Sequence, residues 1–271
     1  MGSPGSLAAL REEVAAHGRV VVAFSGGVDS SLLAWVAHDT LGADRVLAVT
    51  AVSASLAPSE RAGCGHLAGE WGLRWREVVT DEGTRPQYVV NGADRCYHCK
   101  SALMDQLGPI AAAEGSVVAL GVNLDDLDDH RPGQRAARER GAVFPLVDAG
   151  LTKAAVRTAA RQLGLPVWDK PAAACLASRV PYGTPVTLGT LTQVATAEEG
   201  LRALGLRELR VRHYGDLARI ELGPGDLERA LQEREQVVTA VQAAGYRYVT
   251  VDLEGLRSGN LNEALGLARW A

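Results

Sequence analysis

Arg19-Val20-Val21-Val22-Ala23-Phe24-Ser25-Gly26-Gly27-Val28-Asp29-Ser30-Ser31, running on into the apolar stretch Leu32 to Thr40, is the segment whose reading decides the fold. The density of β-branched residues from Arg19 to Phe24 suits a strand buried on both faces of a parallel sheet, and Leu32 to Thr40 reads as a helix. Between them, Gly26 and Gly27 let the main chain turn tightly, so that successive N–H groups and the start of the helix face one point. Ser25, Ser30 and Ser31 add hydroxyl donors. Strand, glycine turn and helix come in the order a phosphate site needs. The run is neither the dinucleotide pattern of three spaced glycines nor the lysine-bearing loop of nucleoside triphosphatases.

Working outward, further strand and helix units follow. Strand Arg45 to Val52 ends near Ser53 and Ser55, and helix Pro58 to Trp71 leads to strand Arg74 to Val79. Helix Ser101 to Glu114 then precedes strand Ser116 to Leu120. Such alternation predicts an α/β fold with a doubly wound parallel sheet and a site at the C-terminal ends of its strands. Past the last strand, Asp125, Asp126, Asp128 and Asp129 crowd together. Like charges this close need solvent or a counter-ion, so both a solvated loop and a metal-phosphate neighbour satisfy them.

The rhythm changes after Pro181-Tyr182-Gly183-Thr184-Pro185. Helix Leu188 to Leu204, strands Glu208 to His213 and Leu217 to Leu222, helix Asp226 to Ala244 and strand Tyr246 to Leu253 predict a small α+β layer, with Asp226 as an N-cap. The chain therefore reads as two domains, 1–183 and 184–271. Arg210 and Arg212 share one face of a strand, where paired guanidinium groups suit a phosphate monoester or, equally, a salt-bridged face. Glu198, Glu199 and Glu221 are carboxylates near that region.

With 271 residues, 47% of them hydrophobic, the chain can bury a sizeable core. A net charge of -4 gives no general reason to hold a polyanion, so no stable nucleic-acid partner is expected. No apolar run approaches the roughly 20 residues that span a bilayer, and the opening residues lack a signal pattern, so the expectation is a cytoplasmic protein without a membrane partner.

Three of the 4 cysteines stand out: Cys96 and Cys99 in Arg95-Cys96-Tyr97-His98-Cys99-Lys100, and Cys175 in Ala174-Cys175-Leu176-Ala177-Ser178-Arg179. The close pair alone suits zinc, dithiol redox chemistry or a structural role. With Cys175 added, three thiolates suffice for three irons of a [4Fe-4S] cube whose fourth iron stays open for hydrosulfide. A single nucleophile at Cys175, or an incidental pair plus one more thiol, also fits the residues. Cys64, on a helix and without a partner by spacing, reads as a packing thiol. Lys170 and Arg179 flank Cys175, where cations lower a thiol pKa or hold a phosphate.

Ser-Gly-Gly-x-Asp-Ser resembles the pyrophosphate loop of ATP-dependent adenylating enzymes. The wider set of runs resembles the LarE-type sulfur-inserting enzymes of nickel-pincer nucleotide biosynthesis. These runs are Ser25 to Ser30, Arg95 to Lys100, Asp129 to Gly133, Pro145-Leu146, Leu151-Thr152-Lys153, Trp168 to Gly183, and Arg210 to Glu221. The resemblance implies ATP-dependent conversion of the carboxylates of a pyridinium biscarboxylic acid mononucleotide into thiocarboxylates through an acyl-adenylate. It implies ATP and Mg²⁺ at Ser25, Gly26, Gly27, Asp29, Ser30, Ser53 and Asp125, and substrate phosphate on Arg210 and Arg212. Arg179, with Lys100 and Lys170 as further candidates, is expected to steady the charge at phosphorus near the catalytic Cys175. Glu198, Glu199 and Glu221 are expected at a metal or the substrate.

The family has two branches. One consumes a single cysteine at the position matching Cys175, and the other carries sulfide on a [4Fe-4S] cluster. Cys96, Cys99 and Cys175 match the second pattern, so the expectation is cluster-borne sulfur, a sulfide source as partner, and a higher homo-oligomer. A tRNA 2-thiolation enzyme with the same loop, and a non-catalytic adenine-nucleotide-binding protein with structural cysteines, are the alternatives.

Overall fold

The computed structural model describes residues 5–127, 132–171 and 175–257. In chain order its elements are α1 Leu7–His17, β1 Val20–Ala23, α2 Val28–Leu41, β2 Val46–Val52, α3 Pro58–Glu70, β3 Trp75–Val79, α4 Pro86–Val89, α5 Arg95–Ala113 and β4 Val117–Leu120. They continue with α6 Pro132–Glu139, α7 Pro145–Asp148, α8 Lys153–Gln162, α9 Leu188–Ala203, β5 Leu209–Tyr214, β6 Leu217–Leu222, α10 Leu227–Gln232, α11 Arg234–Ala243 and β7 Tyr248–Val251. The chain divides into two units, one of residues 1–82 with 94–173 and the other of residues 83–93 with 174–271.

The first unit is built on a parallel sheet of order β3-β2-β1-β4. Val20 pairs with Val46 on one side and Val117 on the other, which makes β1 central. Alternation along β1 then places side chains in two cores. Val20 and Val22 join Phe24, Leu32, Leu33, Val36 and Leu151, while Val21 joins Leu47, Leu103, Leu107 and Val118. Helices cover both faces, as an all-parallel sheet requires. The chain thus forms the doubly wound sheet of the adenine nucleotide alpha hydrolase type, with a smaller α+β unit beside it in sequence. Strand order reverses between β1 and β4, so the loops that follow those strands flank the switch point where such sheets bind ligands.

The second unit pairs β5 with β6 antiparallel and β6 with β7 parallel. Its core gathers Leu201 of α9, Val211 of β5, Ile220 of β6, and Val237 and Val241 of α11. The helix expected from Asp226 to Ala244 is broken at Glu233 into α10 and α11. Asp226 stands at the N-cap position of α10, but its carboxylate is used elsewhere, accepting from the N–H groups of Arg207 and Glu208 at 2.9 and 3.0 Å.

Candidate functional site

The glycine turn is shaped from within. Gly26 takes φ +67, a left-handed conformation that suits glycine, and a Cβ there would sit 3.0 Å from the sulfur of Cys64. Gly27 caps α2 without a side chain, and Ser30 Oγ donates to its carbonyl at 3.1 Å and accepts from Ser25 N–H at 3.2 Å. Ser25 is exposed at the tip. Cys64 is buried, and burial pushes its thiol pKa up, so it packs rather than reacts.

Asp29, in the first turn of α2, is held on both sides. Asn123 Nδ2 donates to one carboxylate oxygen at 2.9 Å, and the ammonium of Lys153 pairs with the other. Asn123 follows β4 and is buried, and Lys153 opens α8, where Thr152 accepts from Ala155 N–H at 3.2 Å. Asp125 accepts the N–H of Lys153 at 2.9 Å, and Asp126 accepts that of Asn123 at 3.1 Å, so both acids secure backbone. Asp128 and Asp129 lie outside the described residues. Lys170 Nζ donates to the carbonyl of Gly26 at 3.1 Å and to Glu60 at 2.7 Å, tying residue 170 to the loop within the first unit. Ser53 meets Ser55, Oγ to Oγ, at 2.8 Å. It lines an open hollow of ≈ 380 Å³ whose wall includes Val52, Leu56, Ala62 and Trp75.

The second unit carries a compact charge cluster. Arg179 donates to Glu198 at 2.7 and 3.3 Å, and Glu198 also accepts from Arg202 at 2.9 Å and from Val211 N–H at 3.1 Å. Burial pushes the Glu198 carboxyl upward, but Arg179, Arg202 and the Val211 N–H outweigh it and hold the pKa below the ordinary value. Arg212 meets Glu221 at two points and donates to the Ser178 carbonyl at 2.7 Å, while Arg219 also donates to Glu221. Glu199 is exposed one residue away from this cluster.

Arg210 stands apart from these pairs: its Nη1 donates to the carbonyl of Arg257 at 3.2 Å, and no carboxylate pairs with it among the described residues. Burial, then Arg179 and Arg212 nearby, hold its pKa below the ordinary guanidinium value. A group that desolvation and like charge both disfavour is one that an incoming anion relieves.

Cys175 is exposed and begins the short turn Leu176–Arg179. Arg179 folds that turn back by donating to Ser178 Oγ at 3.0 Å and toward the Cys175 carbonyl at 3.4 Å. The expected [4Fe-4S] cluster is not supported. Cys96, exposed, and Cys99 lie in the first turn of α5 in the first unit, whereas Cys175 belongs to the second. Among the described residues no three His, Cys, Asp or Glu side chains gather to hold a metal ion. The three-cysteine branch, its cluster cofactor and cluster-borne sulfide are therefore withdrawn: a cube needs three sulfurs converging on one point.

Lys153, Asn123 and Glu60 have no role in the sequence reading. Lys153 entered the sequence reading only within the run Leu151-Thr152-Lys153, and its partner Asp29 lies 124 residues away. No helix among the described residues is long and apolar enough to cross a membrane.

Fold and loop together define an ATP-using enzyme of the pyrophosphate-loop class. A family model described as NAD synthase matches residues 6–81. Over 93% of its length the chain is 40% identical to pyridinium-3,5-bisthiocarboxylic acid mononucleotide synthase of Lactiplantibacillus plantarum, covering 92% of that protein. It is 47% identical to an uncharacterized protein of Synechocystis, over 91% of this chain and 93% of the relative. An uncharacterized protein of Methanocaldococcus jannaschii is 27% identical over 89% of the chain. The chain belongs to the LarE-type family.

Proposed function

We propose that this enzyme is an ATP-dependent sulfurtransferase that turns the carboxylates of a pyridinium-3,5-biscarboxylic acid mononucleotide into thiocarboxylates. The observation that carries the reading is Arg210, a half-buried guanidinium among paired arginines with no carboxylate ion pair among the described residues, in a chain whose relative is named for a bisthiocarboxylic acid mononucleotide. A phosphate monoester is the substrate feature it suits, with Arg212 fixed beside it by Glu221.

The Ser25 to Ser31 loop presents backbone N–H groups and hydroxyls to the nucleotide phosphates, and Ser53 borders the hollow for adenine. The site's donor set fits Mg²⁺: this ion keeps several waters and takes one or two carboxylates plus phosphate oxygens rather than an all-protein cage, and Asp29 offers such a carboxylate. Asp29, with Asp125 close in sequence to its partners, would hold it, and the ion would neutralise phosphate charge. A substrate carboxylate oxygen attacks the α-phosphorus, the bond to the β-phosphate breaks, and pyrophosphate leaves. Lys170, bonded to the loop, is placed to offset charge there.

With the cluster withdrawn, Cys175 is the sulfur donor. Its thiolate attacks the acyl carbon, the bond to AMP breaks, and a thioester forms. Loss of the Cys175 Cα proton and cleavage of its Cβ–S bond release the thiocarboxylate and leave dehydroalanine. Arg179, ion-paired with Glu198, positions this turn. A cytoplasmic setting, where thiols stay reduced, suits an exposed Cys175. Exposed Leu231, Val238 and Tyr248 on the second unit support assembly as a homo-oligomer.

The test is incubation with ATP, Mg²⁺ and the pyridinium substrate, following pyrophosphate, product and protein mass. Pyrophosphate release with loss of the mass of H₂S from the protein is expected. No substrate-dependent pyrophosphate would reject the reading.

A further inference from the structure

Asp29 and Lys153 are 124 residues apart, yet they form an ion pair whose side chains are 18% and 33% exposed. That exposure leaves the pair within reach of a ligand, which a clamp sealed in the core would not be. The pair joins the glycine turn to the start of α8, and Asn123 fixes the remaining Asp29 oxygen. Close approach of the loop after β4 depends on Gly121, where a Cβ would lie 2.7 Å from Ser30 N.

We propose that Lys153 is a positioning residue of the nucleotide site. Its ammonium is the built-in counter-cation of Asp29, orienting that carboxylate and cancelling its negative charge beside the loop even without a divalent ion. This inference rests on the nucleotide reading above. An anion on the loop feels the ammonium most strongly when no other cation is present. Once a divalent ion accompanies the nucleotide, the same charge contributes less, so removing it must weaken binding unequally in the two conditions. A clamp that merely supports the fold would weaken both alike.

The test is calorimetric binding of an ATP analogue with a methylene between the α and β phosphorus atoms, in EDTA and in excess Mg²⁺, using the full chain. Lys153→Met is expected to weaken binding roughly tenfold in EDTA and less than about threefold in Mg²⁺, as loss of one charge-assisted contact does. Lys153→Arg should stay within about threefold of wild type in both. Lys153→Gln keeps a donor for Asp29 and removes only the charge, so it decides the matter if the methionine variant fails to fold. Equal weakening in both solutions, or none in either, overturns the proposal. Wild-type protein that binds no analogue in either solution rejects the nucleotide reading and this inference with it.

Discussion

Arg212 and Glu221 form a two-point ion pair, Nε to Oε1 at 2.9 Å and Nη2 to Oε2 at 2.8 Å, with side chains only 3% and 0% exposed. Arg210, two residues earlier on the same strand, has only a carbonyl partner among the described residues. The two arginines should therefore fail differently. Arg212→Met takes the two-point partner from a buried carboxylate, leaving Arg219 on one of its oxygens, and should cost about 3 kcal/mol in urea denaturation, since breaking a buried pair is far more damaging than lacking one. Arg210→Met should leave the urea midpoint nearly unchanged and raise the KM for the phosphorylated substrate at least about tenfold. Equal loss of stability in both variants would remove Arg210 from the substrate site.

Glu198 makes the second unit sensitive to acid. Its pKa is depressed in the folded protein because Arg179, Arg202 and the Val211 N–H outweigh the upward push of burial. A carboxyl lowered on folding contributes stability that is fully present above its unfolded value of about 4.3 and is lost as pH falls through the lower folded value. Urea midpoints measured from pH 6 to pH 3 should fall for the wild type on the acid side. Glu198→Gln should be less stable at pH 6 and show a shallower acid decline, and parallel curves would show that Glu198 is not the group responsible.

The fold was legible because its signals are local. The β-branched run expected as a strand from Arg19 to Phe24 forms β1 at Val20–Ala23, and the helix expected from Leu32 to Thr40 forms as α2 but begins four residues earlier, at Val28, directly after the Gly26-Gly27 turn. The Cys96 to Lys100 run was expected as a motif before a helix, yet α5 begins at Arg95 and takes both cysteines into its first turn. The break at Glu233 was hidden because Leu227 to Gln236, the residues around it, are all good helix formers. At the site, spacing could pair Arg210 with Arg212 on one strand but could not reveal that Glu221 saturates one and leaves the other. Asp29 with Lys153, and Gly26 with Lys170, are contacts between residues 124 and 144 apart in sequence that no local pattern encodes. The cluster expectation failed for the same reason, since cysteine count says nothing about convergence.

Gly121 supplies a prediction about packing beside the loop. An added Cβ would lie 2.7 Å from Ser30 N and 2.9 Å from Asp29 C, both backbone atoms that cannot step aside alone. Gly121→Ala should cost about 1–3 kcal/mol by overpacking and weaken nucleotide binding by displacing Asp29. Gly63→Ala, in α3 with nothing within 4 Å of the new Cβ, is the control and should stabilise by about 0.5–1 kcal/mol. Thermal melts and analogue binding on both variants check this pair.

On the proposed route Cys175 separates adenylation from sulfur transfer, because carboxylate activation does not draw on its sulfur. Cys175→Ala should still release pyrophosphate when given ATP and the pyridinium substrate, and should form no thiocarboxylate. The wild type should yield at most one thiocarboxylate per protomer, with dehydroalanine at residue 175 by mass spectrometry. Cys96 and Cys99 sit on α5, and with no metal-holding group among the described residues the step does not draw on them as ligands. The double variant Cys96→Ser/Cys99→Ser should therefore keep the single-turnover yield within about twofold. A wild type that makes many products per protomer while Cys175 stays intact would mean the sulfur comes from elsewhere, and loss of product in the double variant would place those two thiols in the transfer after all.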